Sequence, residues 1–323
     1  MLKDSLFVRH EYKLIYILPY IKYLGEFLLP KYFLNVNVIV SPPPMDCVIA
    51  SALLAREFLA EGLEPLLILN SVDSLRHLKL SSNYVLVCLS TELKGLCENS
   101  KPLVILANGQ YNGVYRRSRD SLEPVDVVYP AMKSVTRLIA HILRLKVSEA
   151  EVLASLAEGT LPGLTIDNLS KASLIALARP SYFYRIVESV ERRDLEELRT
   201  ILEELIDEYS KNEARYVAEM KGRVIKVKNY TLIYYNTCSL ERIYVSEVID
   251  ELMRNGHNKI IVLGGKNDKV TKLEFMGIPK DEVDNLLRKF HEIIEDEIKI
   301  NNIVKTYIKY PFIRVQDVIK LLK

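Results

Sequence analysis

The sequence predicts an α/β protein with a parallel-sheet domain, a helical connector and a second, smaller mixed α/β domain. Three observations predict it. Short apolar runs alternate with helical patterns up to about residue 180, a charged stretch with regularly spaced leucines follows, and β-branched runs return after Gly222. Strands that alternate with helices are typical of parallel sheets with right-handed crossovers. We therefore predict domains at 1–180 and 221–323, with a connector at 181–220.

The first domain is predicted from four apolar runs and the helical patterns between and after them. VNVIV, from residue 36, is continuous and β-branched, as strands buried on both faces are. Asp46 is predicted to cap a helix through CVIASALLAREFLAE, which Gly62 ends. LEPLLILN, NYVLVCLS and KPLVILANG are the next strands. Pro130 is predicted to open an amphipathic helix, and VSEAEVLASLAEG a further helix that ends at Gly159.

The connector is predicted to be one long helix or two helices in series. Its apolar residues recur by three and four and form one seam: Leu195, Leu198, Leu202, Leu205 and Tyr209. The second domain follows as strands RVIKVKN and TLIYYNTC, a helix SEVIDELMRNG, and strands KIIVLGG and KVTKLEFMG joined by a GGKND hairpin. A helix from Pro279 through Glu297, a strand VKTYIKY and a helix VQDVIKLLK complete it.

Composition excludes several classes of protein. The chain has 323 residues, of which 49% are hydrophobic and 27% charged, and a net charge of +2, so its bulk charge does not predict nucleic-acid binding. No apolar run approaches the roughly 18 residues of a membrane span, and no leader is evident, so we expect a cytoplasmic, nucleoid-associated protein. Abundant Lys, Glu, Ile and Tyr with two glutamines are typical of heat adaptation.

Cysteine and histidine spacing predicts neither a zinc site nor a disulfide framework. The four cysteines, Cys47, Cys88, Cys97 and Cys238, form no C-x-x-C pair, and the five histidines are scattered. Cys88 ends a predicted strand in an apolar setting, without a histidine near it in sequence. We interpret it as a core thiol rather than a nucleophile.

The stretch VIVSPPPMDCVIASALL, 38–54, combines a predicted strand, a sharp loop and the start of a helix, where α/β proteins usually place their chemistry. Yet the loop holds three prolines and one carboxylate, Asp46. It has no glycine-rich phosphate cradle, histidine or nucleophile elbow. A small-molecule enzyme is therefore disfavoured.

The domain order resembles the DHH phosphoesterase superfamily, which includes the RecJ exonucleases. In that family a D-x-D motif follows the first strand and D-H-H ends a later one, and these groups hold two Mn²⁺ ions. Here the first motif falls on Pro44, Met45 and Asp46, and the second on Ala107, Asn108 and Gly109. The family has an isolated Asp after another strand, and at that place this chain has Cys88, Leu89 and Ser90. The stretch YPAMKSVTRLIAHIL is similar to the family's helix after D-H-H.

The resemblance implies a degenerate phosphoesterase without metal or other cofactor, because at most Asp46 remains as a ligand. D-C-V-I-A-S-A-L-L is most similar to the branch that includes the archaeal counterpart of the cell-division-cycle replication factor. That branch is non-catalytic and scaffolds GINS and the MCM replicative helicase. The alternative is an active Mn-dependent DHH phosphoesterase or exonuclease on single-stranded nucleic acid. For Asp46 itself, helix capping and a vestigial metal role both stay open.

Three further groups of residues have both a functional and an ordinary interpretation. Arg116, Arg117 and Arg119, beside Tyr111 and Tyr115, suit single-stranded DNA or form a solvated loop. The run TYIKYPFIRV either docks GINS or packs its own sheet. Its candidate contacts are Tyr307, Tyr310, Phe312 and Ile313. The resemblance also places Asp167 near a metal ligand, and Gly264 and Gly265 near a phosphate-contacting segment; a helix cap or turn and a hairpin turn are the ordinary interpretations.

Overall fold

The structure of the protein is a computed structural model that divides into two compact units, Met1–Tyr209 and Ser210–Lys323. It describes residues 8–10, 13–17, 29–69, 83–88, 102–108, 110–117, 121–237, 239–290, 294–300, 303–308 and 313–323. The boundary between the units falls inside the predicted connector. The predicted division at 180 and 220 stays a prediction. Within the described residues, no helix has both the length and the apolar character to cross a membrane.

The first unit contains an eight-stranded sheet in the order β1-β2-β4-β3-β5-β6-β7-β8. Its strands are β1 Val8–His10, β2 Lys13–Ile17, β3 Val38–Ser41, β4 Leu66–Leu69, β5 Tyr84–Val87, β6 Leu103–Ala107, β7 Asn112–Arg117 and β8 Leu122–Val127. The four central strands, β4, β3, β5 and β6, are parallel, and the two strands at each edge are antiparallel. The predicted α/β class with a parallel sheet is confirmed.

Helix α1, Met45–Ala60, is the central helix of this unit. It packs on β3, β4 and β5 and against four later helices. Those are α2 Val135–Ile142, α3 Val147–Glu158, α4 Ile166–Ala178 and α5 Pro180–Arg192. Every α1 residue from Met45 to Leu59 except Asp46 is buried. Even the buried Arg56 is neutralised, because its guanidinium bonds Glu57 at 2.8 Å and Glu149 at 2.5 Å. Such all-round burial fits a helix enclosed by neighbours.

The helix predicted to begin at Pro130 begins later. Tyr129–Pro130 is a cis peptide at a bend, and Ser134 is the N-cap of α2, accepting from the Arg137 amide at 3.1 Å. The serine supplies a side-chain oxygen that can accept from a backbone amide, which a proline lacks, and α2 therefore begins after Ser134. The hairpin β7–β8 was not predicted; its residues were interpreted as loop.

Helix α6, Leu195–Lys221, follows α5 after a break at Arg193, whose φ is +59°. This confirms two helices in series. Within the first unit, four residues of the predicted seam are fully buried: Leu198, Leu202, Leu205 and Tyr209. Leucine spacing of three and four places them on one face, and burying each leucine contributes roughly 1.5–3 kcal/mol.

The second unit contains a mixed sheet in the order β13-β14-β12-β11-β10-β9, with β15 beside β12. Its strands are β9 Ile225–Val227, β10 Tyr230–Asn236, β11 Ile260–Lys266, β12 Lys269–Met276, β13 Ile294–Ile300, β14 Ile303–Ile308 and β15 Ile313–Arg314. Its further helices are α7 Glu241–Arg254, α8 Lys280–Phe290 and α9 Val315–Leu322. Only β10 and β11 are parallel among the paired strands described.

One helix prediction in this unit is wrong in its second half. The helix expected through Glu297 ends at Phe290, and residues 294–300 pair with β14 as a strand. The charged sequence IEDEIKI suits a helix locally, but pairing with the neighbouring strand overrides that propensity. The hairpin after Gly264 and Gly265 is confirmed, since Asn267 and Asp268 have φ of +49° and +66°.

Candidate functional site

The candidate site lies at the carboxyl ends of the parallel strands of the first sheet. There β3 leads into the proline loop, Cys88 follows β5, and β6 ends at Ala107, which Asn108 follows. Ser41, at the end of β3, is fully buried and donates its hydroxyl to the Pro42 carbonyl at 2.9 Å. Adjacent parallel strands bring their carboxyl ends together. The structure thus places the first-motif residues, Pro44 to Asp46, and Ala107 and Asn108 of the D-H-H-like position at the same end of the sheet, as the resemblance implies.

The carboxylate of Asp46 is bound to the start of helix α2. Its Oδ2 accepts from the Val135 amide and its Oδ1 from the Thr136 amide, both at 2.9 Å. The Thr136 hydroxyl returns a bond to the Asp46 carbonyl at 2.9 Å. Asp46 therefore caps a helix, but not the helix predicted: its own helix α1 has Pro44 at the N-cap, without a side-chain cap. The free amides of a helix start favour such a negative group.

The α2 N-terminus is fixed from its other side by α3. Ser134 donates its hydroxyl to Glu158 Oε1 at 3.1 Å, and Arg137 Nε donates to the same oxygen at 2.8 Å. Arg137 also reaches Glu151 at 2.7 Å. These carboxylates raise the pKa of the Arg137 guanidinium. The helix start that holds Asp46 is thereby held in place itself.

Two opposing influences act on the protonation of Asp46. Burial removes the carboxylate from water and raises its pKa, and the charge of Glu158 acts in the same direction. The hydrogen bonds from Thr136 and Val135 lower it, and burial prevails. The group is thus a largely shielded carboxyl that caps a helix, which is a structural role for a residue at the end of a parallel strand.

The structure corrects the interpretation of the cysteines. Cys47 and Cys88, interpreted as unpaired, form a disulfide with Cα atoms 5.9 Å apart. Cys47 lies in the first turn of α1, and Cys88 follows β5 with φ of +61° and donates its amide to Ile105. The disulfide was not predicted because its cysteines are 41 residues apart in sequence, whereas spacing rules detect pairs within short motifs.

Asn112 is a buried residue that sequence reasoning missed. Its Nδ2 donates to the Val128 carbonyl at 2.5 Å, and its Oδ1 accepts from the Met132 amide at 2.9 Å. The bonds tie β7 to the segment that leads into α2. Asn108 plays a local part, since its Oδ1 accepts from the Tyr111 amide at 2.8 Å. At the D-H-H-like position, the Asn108 side chain therefore bonds the backbone that leads into β7.

Ligands for a metal are scarce among the residues that the structure describes. No group of three or more His, Cys, Asp or Glu side chains there could hold an ion. Asp46 faces the positive end of α2, and the sulfur of Cys88 is in the disulfide and offers no thiolate ligand. Asp73 and His77, which follow β4 in sequence, lie outside the described residues. The described donor set does not fit the two-Mn²⁺ centre of the DHH family, which needs roughly six hard ligands.

The predicted arginine loop is partly a strand. Arg116 and Arg117 lie in β7, where successive side chains point to opposite faces; Arg116 is exposed and Arg117 is 5% exposed. Arg119 lies outside the described residues. Tyr111 and Tyr115 form an edge-to-face pair with ring centroids 5.4 Å apart. The alternation separates the two described arginines, and a nucleic-acid role for the set stays a prediction.

The predicted GINS-docking run is only partly described. Ile313 pairs with Val270 across β15 and β12 and packs on the core of the second unit, which is the ordinary interpretation. Tyr307 lies in β14, but its side chain is outside the described residues, as are Tyr310 and Phe312.

Asp167 is exposed in the first turn of α4 and pairs with Lys171 at 2.9 Å.

The parallel pair of the second unit also ends at a carboxylate. Glu241, at the start of α7, accepts from the Asn236 amide at 2.8 Å and from Arg223 through both oxygens at 2.9 Å. A Cβ on Gly265 would lie 1.9 Å from the Lys269 carbonyl oxygen, so the glycine serves the hairpin. The end of this strand pair is therefore occupied by a side chain of the chain itself.

Comparisons with known proteins show structural similarity at low sequence identity. The structure of exonuclease RecJ bound to manganese aligns with a TM-score of 0.48 and 13% identity, over 88% of this chain and 87% of that one. CDC45 from Entamoeba histolytica aligns with a TM-score of 0.43 and 9% identity, over 89% and 94%. RecJ from Thermus thermophilus in complex with Mn²⁺ aligns at 0.42 and 14%; the alignment covers 84% of this chain and about half of that one, 49%. No protein-family model and no curated protein matches the chain.

Proposed function

We propose that this chain is a non-catalytic, RecJ-like DNA replication factor that scaffolds GINS and the MCM helicase and contacts single-stranded DNA. The observation that carries the proposal is the bonding of Asp46. Both carboxylate oxygens accept from backbone amides of α2 at 2.9 Å. A metal ion would compete with these bonds and would approach the positive end of a helix, which disfavours a cation.

The neighbouring strand ends support the same function. Cys88 is in a disulfide, Ala107 has no ligating group, and Asn108 is engaged in a turn. The resemblance to the DHH family places ligands of a two-metal centre at these positions. Since the described strand ends supply few metal ligands, we assign the chain a function in binding partners through its surfaces.

The test of scaffolding is direct binding to GINS and MCM from the same organism. A stable complex of the intact chain with GINS should bury on the order of 1,500 Å² or more. Deleting the chain beyond about residue 301 is unsuitable, because β14 and α9 belong to the sheet and core of the second unit. The triple variant Tyr307→Ala, Tyr310→Ala, Phe312→Ala probes the docking run instead.

The matched control is Gln316→Ala with Lys320→Ala, two exposed residues of α9. We expect the triple variant to weaken GINS binding by at least tenfold, and the control to bind like the unchanged chain, with both variants folded by circular dichroism. If the unchanged chain binds no GINS, the scaffolding function fails. If the folded triple variant binds equally well, only the docking run is wrong.

A further inference from the structure

The disulfide Cys47–Cys88 lies at the candidate site. Cys47 is the third residue of α1, which follows the proline loop, whereas Cys88 directly follows β5, the strand beside β3. The covalent bond therefore joins the helix that follows β3 to the neighbouring strand. The loop that it closes, 41 residues in sequence separation, contains α1 from Cys47 onward and the strands β4 and β5.

The two halves of the bond differ in their anchors. Cys88 is held in the sheet, because its amide donates to the Ile105 carbonyl of β6 at 2.9 Å. Cys47 is held by the first turn of α1, and its neighbour in that turn, Asp46, caps α2. The covalent anchor and the helix cap thus share one turn, so that a change at the sulfur is transmitted to the α2 start.

We propose that the Cys47–Cys88 disulfide is a redox-sensitive lock that fixes the candidate site and, through Asp46, the N-terminus of α2. Oxidised, it holds the first turn of α1 against the sheet. Reduced, that turn is held by packing and by the Asp46 bonds alone, and the α2 cap opens more often. The composition is typical of heat adaptation, and proteins of hyperthermophiles frequently carry such bonds even inside the cell.

Reduction proceeds by thiol–disulfide exchange with a dithiol. One reductant thiolate attacks Cys88 Sγ, the less buried partner, and forms a mixed disulfide while the S–S bond breaks. The electron pair leaves with Cys47 Sγ, which takes up a proton. The second reductant thiol then releases Cys88, so that two electrons and two protons pass from the dithiol to the protein.

The first test counts thiols. Cells are quenched in acid, and the protein is denatured and alkylated with N-ethylmaleimide before and after reduction. We expect two of the four cysteines to react before reduction and four after it, with a peptide that links Cys47 to Cys88 in the unreduced digest. Four reactive thiols before reduction would overturn the proposal.

The second test measures the coupling. Reduction should lower the melting temperature by roughly 8–15 °C, given the loop that the bond closes. It should speed hydrogen exchange at the Val135 and Thr136 amides about tenfold or more, and leave Ile261 in the second unit unchanged. An unchanged rate at Val135 and Thr136 would overturn the lock even if the melting temperature falls.

Variants separate this bond from other thiols. Cys47→Ser and Cys88→Ser should melt at the same temperature with and without dithiothreitol. The control Cys97→Ser with Cys238→Ser should keep the full response to reductant. A response that disappears in the control and persists in Cys88→Ser would contradict the assignment. None of these readouts involves GINS, so the outcome is independent of the proposed function.

Discussion

Asp46 shows how a residue's surroundings decide what its chemistry can be. A carboxylate at the end of a parallel strand is a good metal ligand when other oxygens converge on it. Here amides converge instead, from Val135 and Thr136, and burial raises its pKa. The same side chain that would hold a cation therefore satisfies the start of a helix.

Replacing Asp46 by Ala should destabilise the protein by about 2 kcal/mol, because two helix amides lose their acceptor. Urea unfolding followed by circular dichroism measures the change. The control is Asp167→Ala, which removes an exposed carboxylate from the first turn of α4 and should change stability by about 0.3–0.5 kcal/mol. Equal effects of the two substitutions would contradict the capping role.

Tyr230 and Glu282 form a second titratable pair that the structure makes testable. Burial, and then the 2.6 Å bond to Glu282, raise the pKa of Tyr230 to about 12. The bonds from Lys259 and Tyr230 lower the pKa of Glu282. A carboxylate with a lowered pKa stabilises the fold above its unfolded value near 4.5, and that contribution is lost as pH falls through the folded value.

Glu282→Gln should therefore bring the Tyr230 pKa below 12 while burial keeps it above 10, as followed by NMR of the ring carbons. The stability difference between the unchanged chain and the variant should shrink as pH falls from about 6 to about 3. Asp281→Asn, an exposed neighbour in α8, is the control and should show neither change. A difference that grows toward acid pH would refute the assignment.

At the scale of elements, β7 shows what a strand does to adjacent residues. Neighbours in sequence face opposite sides, so that Arg116 is exposed and Arg117 buried. A loop would have allowed both to point outward. The hairpin thus divides a charge cluster that looks continuous in sequence.

If the hairpin contacts single-stranded DNA, Arg116→Ala should lower the slope of log K against log salt by about 0.7, the value for one phosphate contact. Arg117→Ala should instead destabilise the fold by roughly 1–3 kcal/mol. Fluorescence anisotropy with labelled oligonucleotides at several salt concentrations measures the slope, and exposed Arg144→Ala is the control. An unchanged slope for Arg116→Ala would make this residue an ordinary solvated side chain.

The elements could be predicted where local chemistry decides them. Gly62 and Gly159 end helices with φ of +74° and +65°, and the buried strands β3 and β6 are continuous apolar runs. Residues 294–300 and the hairpin β7–β8 depend on partners elsewhere in the chain, which local pattern does not contain.

The candidate site was predictable in position but not in its bonding. The strand–loop–helix pattern located Asp46, whereas its partners Val135 and Thr136 lie 89 and 90 residues away. The Cys47–Cys88 disulfide escaped for the same reason, since no local rule joins two cysteines across a sheet. Ser134 did carry a usable signal, as a serine directly before an apolar helical run.

At the scale of the whole molecule, both units end a parallel strand pair at a carboxylate of their own. In the first unit Asp46 bonds the start of α2, and in the second Glu241 bonds Asn236 and Arg223. Each bond occupies the place where α/β proteins usually bind ligands. In each unit, a side chain of the unit itself thus lies at the end of the parallel strand pair.

We therefore expect that no single substitution makes the candidate site catalytic. We expect no stoichiometric, tight Mn²⁺ binding by calorimetry and no hydrolysis of a chromogenic phosphodiester, by the unchanged chain or by Pro44→Asp. Pro44→Asp adds one ligand, while Cys88, Ala107 and Asn108 still supply none. Hydrolysis that Asp46→Ala or Asp73→Ala abolishes would instead establish the alternative, a Mn-dependent phosphoesterase.

The bonding of Asp46 to α2 also bears on the direction of evolution. A lineage that acquired metal ligands here one at a time would first have to release this carboxylate, leaving two helix amides without their acceptor, at about 2 kcal/mol in all. Proteins have only about 5–15 kcal/mol of net stability, so selection would disfavour such intermediates. Descendants of this chain would therefore change more readily at exposed residues than at the Asp46 cap.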